Sequence, residues 1–315
     1  MSGERVIGLS VDQDETARWS IELERAIATS GRPLKLIPDA DPATVDYLVY
    51  NIDGGVTEFS AYTRLRAILN TWAGVEAVVG KVSWPEHVPF VRMVETGMTE
   101  GMSEYFVGHT MRYLLDIDRA QGQSSAGVWQ KWTPRLARHT PVGVLGLGEL
   151  GTATAGKLAA LGFPVHGWSR NPKALPGITC HDGPEGLEKI LKTSQVLILI
   201  LPLTESTRHV LNAQTLGLLP KGACIINAGR GPLIDDDALL GALHSGQVRH
   251  ATLDVFATEP LPSDHPYWRN SNVTVTPHIA AETRFDTAAE AILLQIGRDL
   301  DGFALQHVVD ARAGY

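Results

Sequence analysis

The chain has 315 residues, 44% of them hydrophobic and 20% charged, an ordinary globular balance that suffices for two domain cores. A formal charge of -8 with no basic run speaks against nucleic acid or an anionic membrane as a partner. Two cysteines, Cys180 and Cys224, make neither a disulfide framework nor a metal-ligand spacing, so a reducing, cytoplasmic setting and no bound metal are expected.

Met1–Ser10 carries Glu4 and no long apolar core, which argues against a signal peptide. Short apolar, β-branched runs then predict strands at Val6–Leu9, Leu34–Ile37, Tyr47–Tyr50, Ala67–Leu69 and Val91–Val94. Helix-like stretches separate them at Glu15–Thr29 and Glu58–Arg66. A long proline-free helix is expected over Glu100–Arg119, with apolar Met102, Phe106, Tyr113, Leu114 and Ile117. A second strand series follows at Val142–Leu147, Val165–Trp168, Val196–Leu201, Ala223–Asn227, Ala251–Val255 and Val273–Thr276. The longest apolar stretch, Val196–Leu203, falls far short of the ~20 residues of a spanning helix and reads as a buried strand. Ala281–Leu300 predicts a last long helix, with Gly302 as its stop.

Strands alternating with helices predict an α/β fold, its parallel sheets covered on both faces. Two series imply two Rossmann-like domains, one inserted into the other. Residues 1–99 with 289–315 would form the outer domain, and residues 100–288 the inserted one. A cleft between two domains is a usual place for a small-molecule site.

The inserted segment opens on Val142-Gly-Val-Leu-Gly146-Leu-Gly148-Glu149-Leu150-Gly151, a G-x-G-x-x-G directly after an apolar run and before a helix-like one, Thr152–Leu161. Each glycine has a reason. Gly146 permits the tight turn, Gly148 lets the backbone approach a pyrophosphate, and Gly151 lets helix and strand pack closely. The helix start offers N–H groups and a positive dipole to the phosphates, with Glu149 and Leu150, between Gly148 and Gly151, as further cofactor-binding candidates. The next strand ends in Trp168-Ser169-Arg170, where an NAD site would carry an Asp or Glu for the ribose 2′-hydroxyl. Ser169, Arg170 and nearby Lys173 instead suit a 2′-phosphate, so NADPH is expected over NADH.

Three later segments carry polar residues at predicted strand ends: Asn227-Ala228-Gly229-Arg230-Gly231, Asp254 through Glu259-Pro260, and Thr276-Pro277-His278. In an open parallel sheet, ligands bind beyond those ends. An arginine between glycines offers a fork for a carboxylate. A histidine can deliver a proton near neutral pH, and a glutamate beside it would orient the ring. Taken singly, Arg230 could be a turn charge, Glu259 a loop cap and His278 a core histidine; their joint placement behind a cofactor motif favours chemistry.

These motifs resemble the signatures of the D-isomer-specific 2-hydroxyacid dehydrogenases, along essentially the whole chain. Within that family the chain is most similar to the bacterial glyoxylate/hydroxypyruvate reductase A type. The shared features are Glu95-Thr-Gly-Met98, Trp168-Ser169-Arg170, Leu261-Pro262 and the ending Val309-Asp310-Ala-Arg312-Ala-Gly-Tyr315. The resemblance implies that Arg230 binds the substrate carboxylate and carbonyl, Glu259 supports the histidine, and His278 donates the proton. It implies contact of Asp254 with the nicotinamide carboxamide, with Ala228, Leu201 and Pro202 along the cofactor. It also implies a flavodoxin-like outer domain that holds substrate through Trp72, Ala73 and Gly74. Trp72 departs from the small residue usual there, and Asn51, Gly54 and Gly55 match only loosely. The family is usually homodimeric, which makes Glu100–Arg119 a candidate interface; packing on its own domain is the alternative.

The expected activity is therefore NADPH-dependent reduction of a small 2-keto acid, glyoxylate or hydroxypyruvate. Two rivals stand beside it. One is another D-2-hydroxyacid dehydrogenase with a larger or phosphorylated substrate. The other is a nucleotide-sensing corepressor on the same fold, for which no extra tail or peptide cleft is evident.

Overall fold

A computed structural model describes residues 4–75 and 78–310. Residues 311–315, the last five of the ending that carries part of the family resemblance, lie outside them. The elements run β1 (Arg5–Ser10), α1 (Thr16–Ser30), β2 (Leu34–Leu36), β3 (Tyr47–Tyr50), β4 (Ala67–Asn70), β5 (Phe90–Val91), α2 (Thr96–Leu115) and α3 (Ile117–Ser125). Next come β6 (Val142–Leu145), α4 (Glu149–Ala160), β7 (Val165–Ser169), β8 (Ile178–Asp182), α5 (Gly183–Thr193), β9 (Val196–Leu199) and α6 (Ala213–Leu216). The last are β10 (Ala223–Asn227), α7 (Asp236–His244), β11 (Val248–Leu253), β12 (Val273–Val275) and α8 (Phe285–Leu300).

The chain divides into two compact units, residues 1–98 with 283–315 and residues 99–282. The first holds a five-stranded parallel sheet in the order β2-β1-β3-β4-β5. Its α1 and α8 pack through Trp19 and Phe285, ring centroids 4.9 Å apart. The second holds a seven-stranded parallel sheet in the order β12-β11-β10-β9-β6-β7-β8. The strand order reverses between β6 and β9, which is where an open sheet of this kind receives a ligand beyond its carboxyl ends. Val-Leu-Ile-Leu of β9 is buried throughout, and each such side chain contributes roughly 1.5–3 kcal/mol by leaving water.

Several expectations need correction. Glu58–Arg66 is not a helix but a run of turns. Phe59, Tyr62 and Leu65 recur every third residue, which imitates a helix face. The core of the unit takes Phe59 and Leu65 instead, and Arg64 reaches the buried carboxylate of Asp46 at 3.1 Å. The helix expected over Glu100–Arg119 breaks at Asp116, whose φ of 58° is left-handed. Aspartate tolerates that region better than most residues, and Arg249 pairs with its carboxylate. The strand expected at Val91–Val94 ends at Val91, because the N–H groups of Arg92 and Met93 go to His307 and Trp72 carbonyls. The last helix starts at Phe285 rather than Ala281, since the Thr283 hydroxyl is drawn to the Thr71 carbonyl. Edge strand β8 has no counterpart among the expected strands.

The apolar side chains of α2 serve its own unit. Met102, Phe106, Tyr113 and Leu114 are buried in the core around β6, β7 and β9.

Candidate active site

The glycine loop joins β6 to α4 in the order strand, turn, helix. Gly146 has a φ of 109°, and a Cβ there would lie 2.7 Å from the Ile200 carbonyl oxygen of the neighbouring strand end. Its N–H donates to Trp168 O at 2.9 Å, tying the turn to β7. A Cβ on Gly151 would fall 1.8 Å from Gly146 O, so only glycine lets the helix sit this close to the turn. A Cβ on Gly148, the residue before α4, would meet nothing within 4 Å. The protein itself therefore does not need glycine at that position. The open space suits close approach of a group from outside, and the N-terminus of α4, where a helix has no acceptors of its own for its first N–H groups, suits an anion. These residues fit a dinucleotide pyrophosphate.

At the end of β7, Ser169 is 9% exposed and its hydroxyl donates to Asn171 O at 2.7 Å, shaping the turn that carries exposed Arg170. The Lys173 ammonium reaches back to Leu147 O within the glycine loop. Ser169, Arg170, Lys173 and the glycine loop thus gather at one corner of the sheet, and no carboxylate closes the end of β7. Leu201 and Ala228 are buried beside the switch point, where Ala228 N donates to Leu199 O at 3.3 Å.

Arg230, Glu259 and His278 follow three adjacent strands. After β10, buried Asn227 accepts from Gly229 N at 3.1 Å and donates to Arg230 O at 3.0 Å, closing a tight turn around the arginine. Arg230 also donates to Gly229 O at 2.7 Å. After β11, Glu259 folds back so that one oxygen accepts from Phe256 N at 2.8 Å. Its other oxygen lies 2.7 Å from His278 Nδ1. A Cβ on Gly231 would fall 2.0 Å from Phe256 C, so the turn bearing Arg230 rests directly on the turn bearing Glu259.

After β12, His278 has a φ of 55°. A non-glycine residue in that region costs of order 1–3 kcal/mol and persists only when its surroundings hold it. Asp254, 1% exposed, does the holding. One carboxylate oxygen accepts from the Thr276 hydroxyl at 2.5 Å and Ile279 N at 3.0 Å; the other accepts from Ala280 N at 2.9 Å. A carboxylate has about four acceptor sites, and these three bonds bracket His278 on both sides. The bonds of the Asp254 carboxylate are thus to the histidine turn. The sequence offered only weak signals for Asn227 and Thr276, which are polar residues closing apolar strands.

In the other unit, Trp72, Ala73 and Gly74 form the turn after β4, all partly buried. Trp72 O accepts from Asn70 Nδ2 at 2.8 Å and Met93 N at 3.0 Å, so the turn is firmly tied. Asn51 follows β3; its side chain accepts from Gly54 N at 3.1 Å and donates to Thr71 at 3.3 Å. A Cβ on Gly54 would strike the backbone of Ser10 at 2.1 Å, which makes that glycine a packing requirement. Both turns leave the carboxyl edge of the sheet. Among the described residues no group of His, Cys, Asp or Glu is arranged to hold a metal, and no helix is long and apolar enough to cross a membrane.

Residues 107–280 match the model of the D-isomer specific 2-hydroxyacid dehydrogenase NAD binding domain. The chain is 40% identical over 257 residues to a glyoxylate/hydroxypyruvate reductase A of Yersinia enterocolitica, covering 80% of this chain and 82% of that one. It is 36% identical to the protein of the same name from Salmonella enteritidis, over 95% of this chain and 96% of that one. Among solved structures it is similar to a D-isomer specific 2-hydroxyacid dehydrogenase of Xanthobacter autotrophicus in complex with NADPH, with a TM-score of 0.88, 36% identity and full coverage of both chains. An NADPH-dependent glyoxylate/hydroxypyruvate reductase of Sinorhizobium meliloti, solved with NADP and sulfate, aligns over the full length of both chains at a TM-score of 0.85 and 32% identity. With a glycine loop at the switch point and a paired histidine and glutamate further along the same sheet edge, the chain belongs to the D-isomer specific 2-hydroxyacid dehydrogenase family.

Proposed function

We propose that this protein reduces glyoxylate and hydroxypyruvate to the 2-hydroxy acids with NADPH. The observation that carries the reading is the 2.7 Å contact of His278 Nδ1 with Glu259, on the same sheet edge as Arg230 and the glycine loop. The unit of residues 99–282 would bind the dinucleotide and the unit containing Trp72 the substrate. Relatives that carry this name, and structural neighbours solved with NADP or NADPH, support it.

Held by its pyrophosphate at the glycine loop, a nicotinamide dinucleotide would supply the hydride that reduces the keto carbon. The chain's own residues do the rest. Gly146, Gly148 and Gly151 admit the pyrophosphate, with Glu149 and Leu150 in the first helical turn. Arg230 holds the substrate carboxylate and polarises the carbonyl through its guanidinium fork. The amides of Ala73 and Gly74 would share the carboxylate. Glu259 engages Nδ1 of His278 and orients the ring, so Nε2 is the nitrogen that gives a proton to the forming alkoxide. The reading is tested by a panel of 2-keto acids assayed with NADPH and with NADH. The expected result is a higher kcat/KM for glyoxylate and hydroxypyruvate than for phenylpyruvate or 2-ketoisocaproate. Preference for the large keto acids would overturn the substrate.

Trp72 offers a second handle. Its indole would exclude branched and aromatic keto acids by overlap. Trp72→Ala should then narrow the gap between small and large keto acids about tenfold, an effect typical of one or two missing methylenes in a pocket. An unchanged ratio would remove the indole from the substrate pocket.

Ser169, Arg170 and Lys173 carry the cofactor preference. A guanidinium on a 2′-phosphate is a charge-assisted contact, here exposed to solvent and so at the weak end of its range. Arg170→Ala should raise the Kd for NADPH about tenfold and leave NADH nearly untouched. Equal weakening of both cofactors would show that Arg170 does not read the 2′-phosphate.

The same reading makes the protein a cytoplasmic homodimer. Leu115, Ile117, Val128, Trp129 and Leu136 are all exposed, Trp129 at 91%, along one stretch of chain that a second copy would cover. Sedimentation would give the monomer mass if that stretch is not an interface.

A further inference from the structure

We propose that Tyr105 is a positioning residue for His278, acting through Thr276 and Asp254. This rests on the reading of His278 as the proton donor.

Tyr105 lies on α2, and its hydroxyl is 2.7 Å from the Thr276 hydroxyl. Thr276 gives its own proton to Asp254, at 2.5 Å. The Thr276 oxygen can therefore only accept from Tyr105, and the chain of bonds has one direction. Burial pushes the Tyr105 phenol well above its ordinary pKa, so it stays a donor at any working pH. Asp254 then holds the N–H groups of Ile279 and Ala280, immediately after the left-handed His278. The phenol at the start of this chain fixes the Thr276 rotamer, which fixes the carboxylate plane, which fixes the histidine turn.

A bond between helix and sheet can also be mere packing, and α2 provides the comparison. Tyr113 stands eight residues on, on the same helix face, and its hydroxyl lies 2.6 Å from the Thr252 hydroxyl. Arg112 donates to Thr274 at 2.8 Å. All three bonds dock α2 on β11 and β12, yet only that of Tyr105 continues to the turn bearing His278. Loss of the Tyr113 hydroxyl removes a bond of the same kind with no route to that turn.

The test compares Tyr105→Phe with Tyr113→Phe in the full-length enzyme. Tyr105→Phe should lower kcat about tenfold, since small misplacements of a reacting group are costly, while KM and the Kd for NADPH stay within about twofold. Tyr113→Phe should keep kcat. Amide hydrogen exchange of the enzyme without substrate gives a second readout: protection of Ile279 and Ala280 should fall about tenfold in Tyr105→Phe and not in Tyr113→Phe. Equal kcat in the two variants, or unchanged protection at Ile279 and Ala280 in Tyr105→Phe, overturns the proposal. His278→Asn, assayed alongside, separates this failure from failure of the proton-donor reading, because the exchange measurement does not depend on turnover.

Discussion

His278→Asn should lower kcat about 10²–10⁴-fold, the usual loss when a general acid is removed, or about 3–5.5 kcal/mol of barrier. Asparagine keeps a polar side chain of similar reach, and it tolerates the left-handed φ of 55° better than most residues. The turn held by Asp254 should therefore survive, and the change isolates the proton. The forming alkoxide then has to take its proton from water, which is not preorganised there. The Kd for NADPH should stay near the wild-type value, because His278 follows β12, with three strands between it and the β6 that carries the glycine loop, and holds no phosphate. Stopped-flow turnover with glyoxylate, together with fluorescence titration of NADPH, separates the two quantities. Near-normal kcat would take His278 out of the mechanism. A large loss of cofactor affinity would mean the variant had disturbed more than the proton.

What could be read from the sequence was what the backbone demands locally. The tight turn at Gly146 and the 1.8 Å approach that a Gly151 Cβ would make are requirements only glycine meets, so they leave a motif. Strands β6, β9 and β10 are buried on both faces and show as apolar runs, that of β10 closed by polar Asn227. Edge strand β8 was hidden for the opposite reason. Its Ile-Thr-Cys-His-Asp is only partly buried, so it has no apolar run to announce it. The Phe59, Tyr62, Leu65 spacing misled because periodicity reports which residues are apolar, and the tertiary core decides whether a helix or a set of turns delivers them. The hold of Asp254 on the histidine turn, and the link from Tyr105 to Thr276, were invisible for a simpler reason. Tyr105 and Thr276 are 171 positions apart, and nothing local marks a hydroxyl pair.

Gly231→Ala should have an effect on kcat/KM comparable to loss of the acid, although Gly231 touches no reacting group. The Cβ would lie 2.0 Å from Phe256 C and 2.4 Å from both Phe256 O and Ala257 N. All three are backbone atoms, so no flexible side chain can swing aside. The turn bearing Arg230 and the turn bearing Glu259 must separate. Phe256 is also the residue whose N–H holds Glu259 at 2.8 Å, so the shift reaches the partner of His278 directly. A displacement of about 1 Å at a reacting group is enough for about a 10²-fold loss, and it should appear in kcat/KM for glyoxylate more than in NADPH affinity. Overpacking of this kind also costs about 1–3 kcal/mol of stability, so Tm should fall with it. Gly241→Ala is the control, because a Cβ there, within α7, meets nothing within 4 Å and should leave kcat/KM unchanged. A Gly231→Ala protein with wild-type kcat/KM and Tm would mean that the two turns do not depend on each other, and that Arg230 and the His278–Glu259 pair are placed independently.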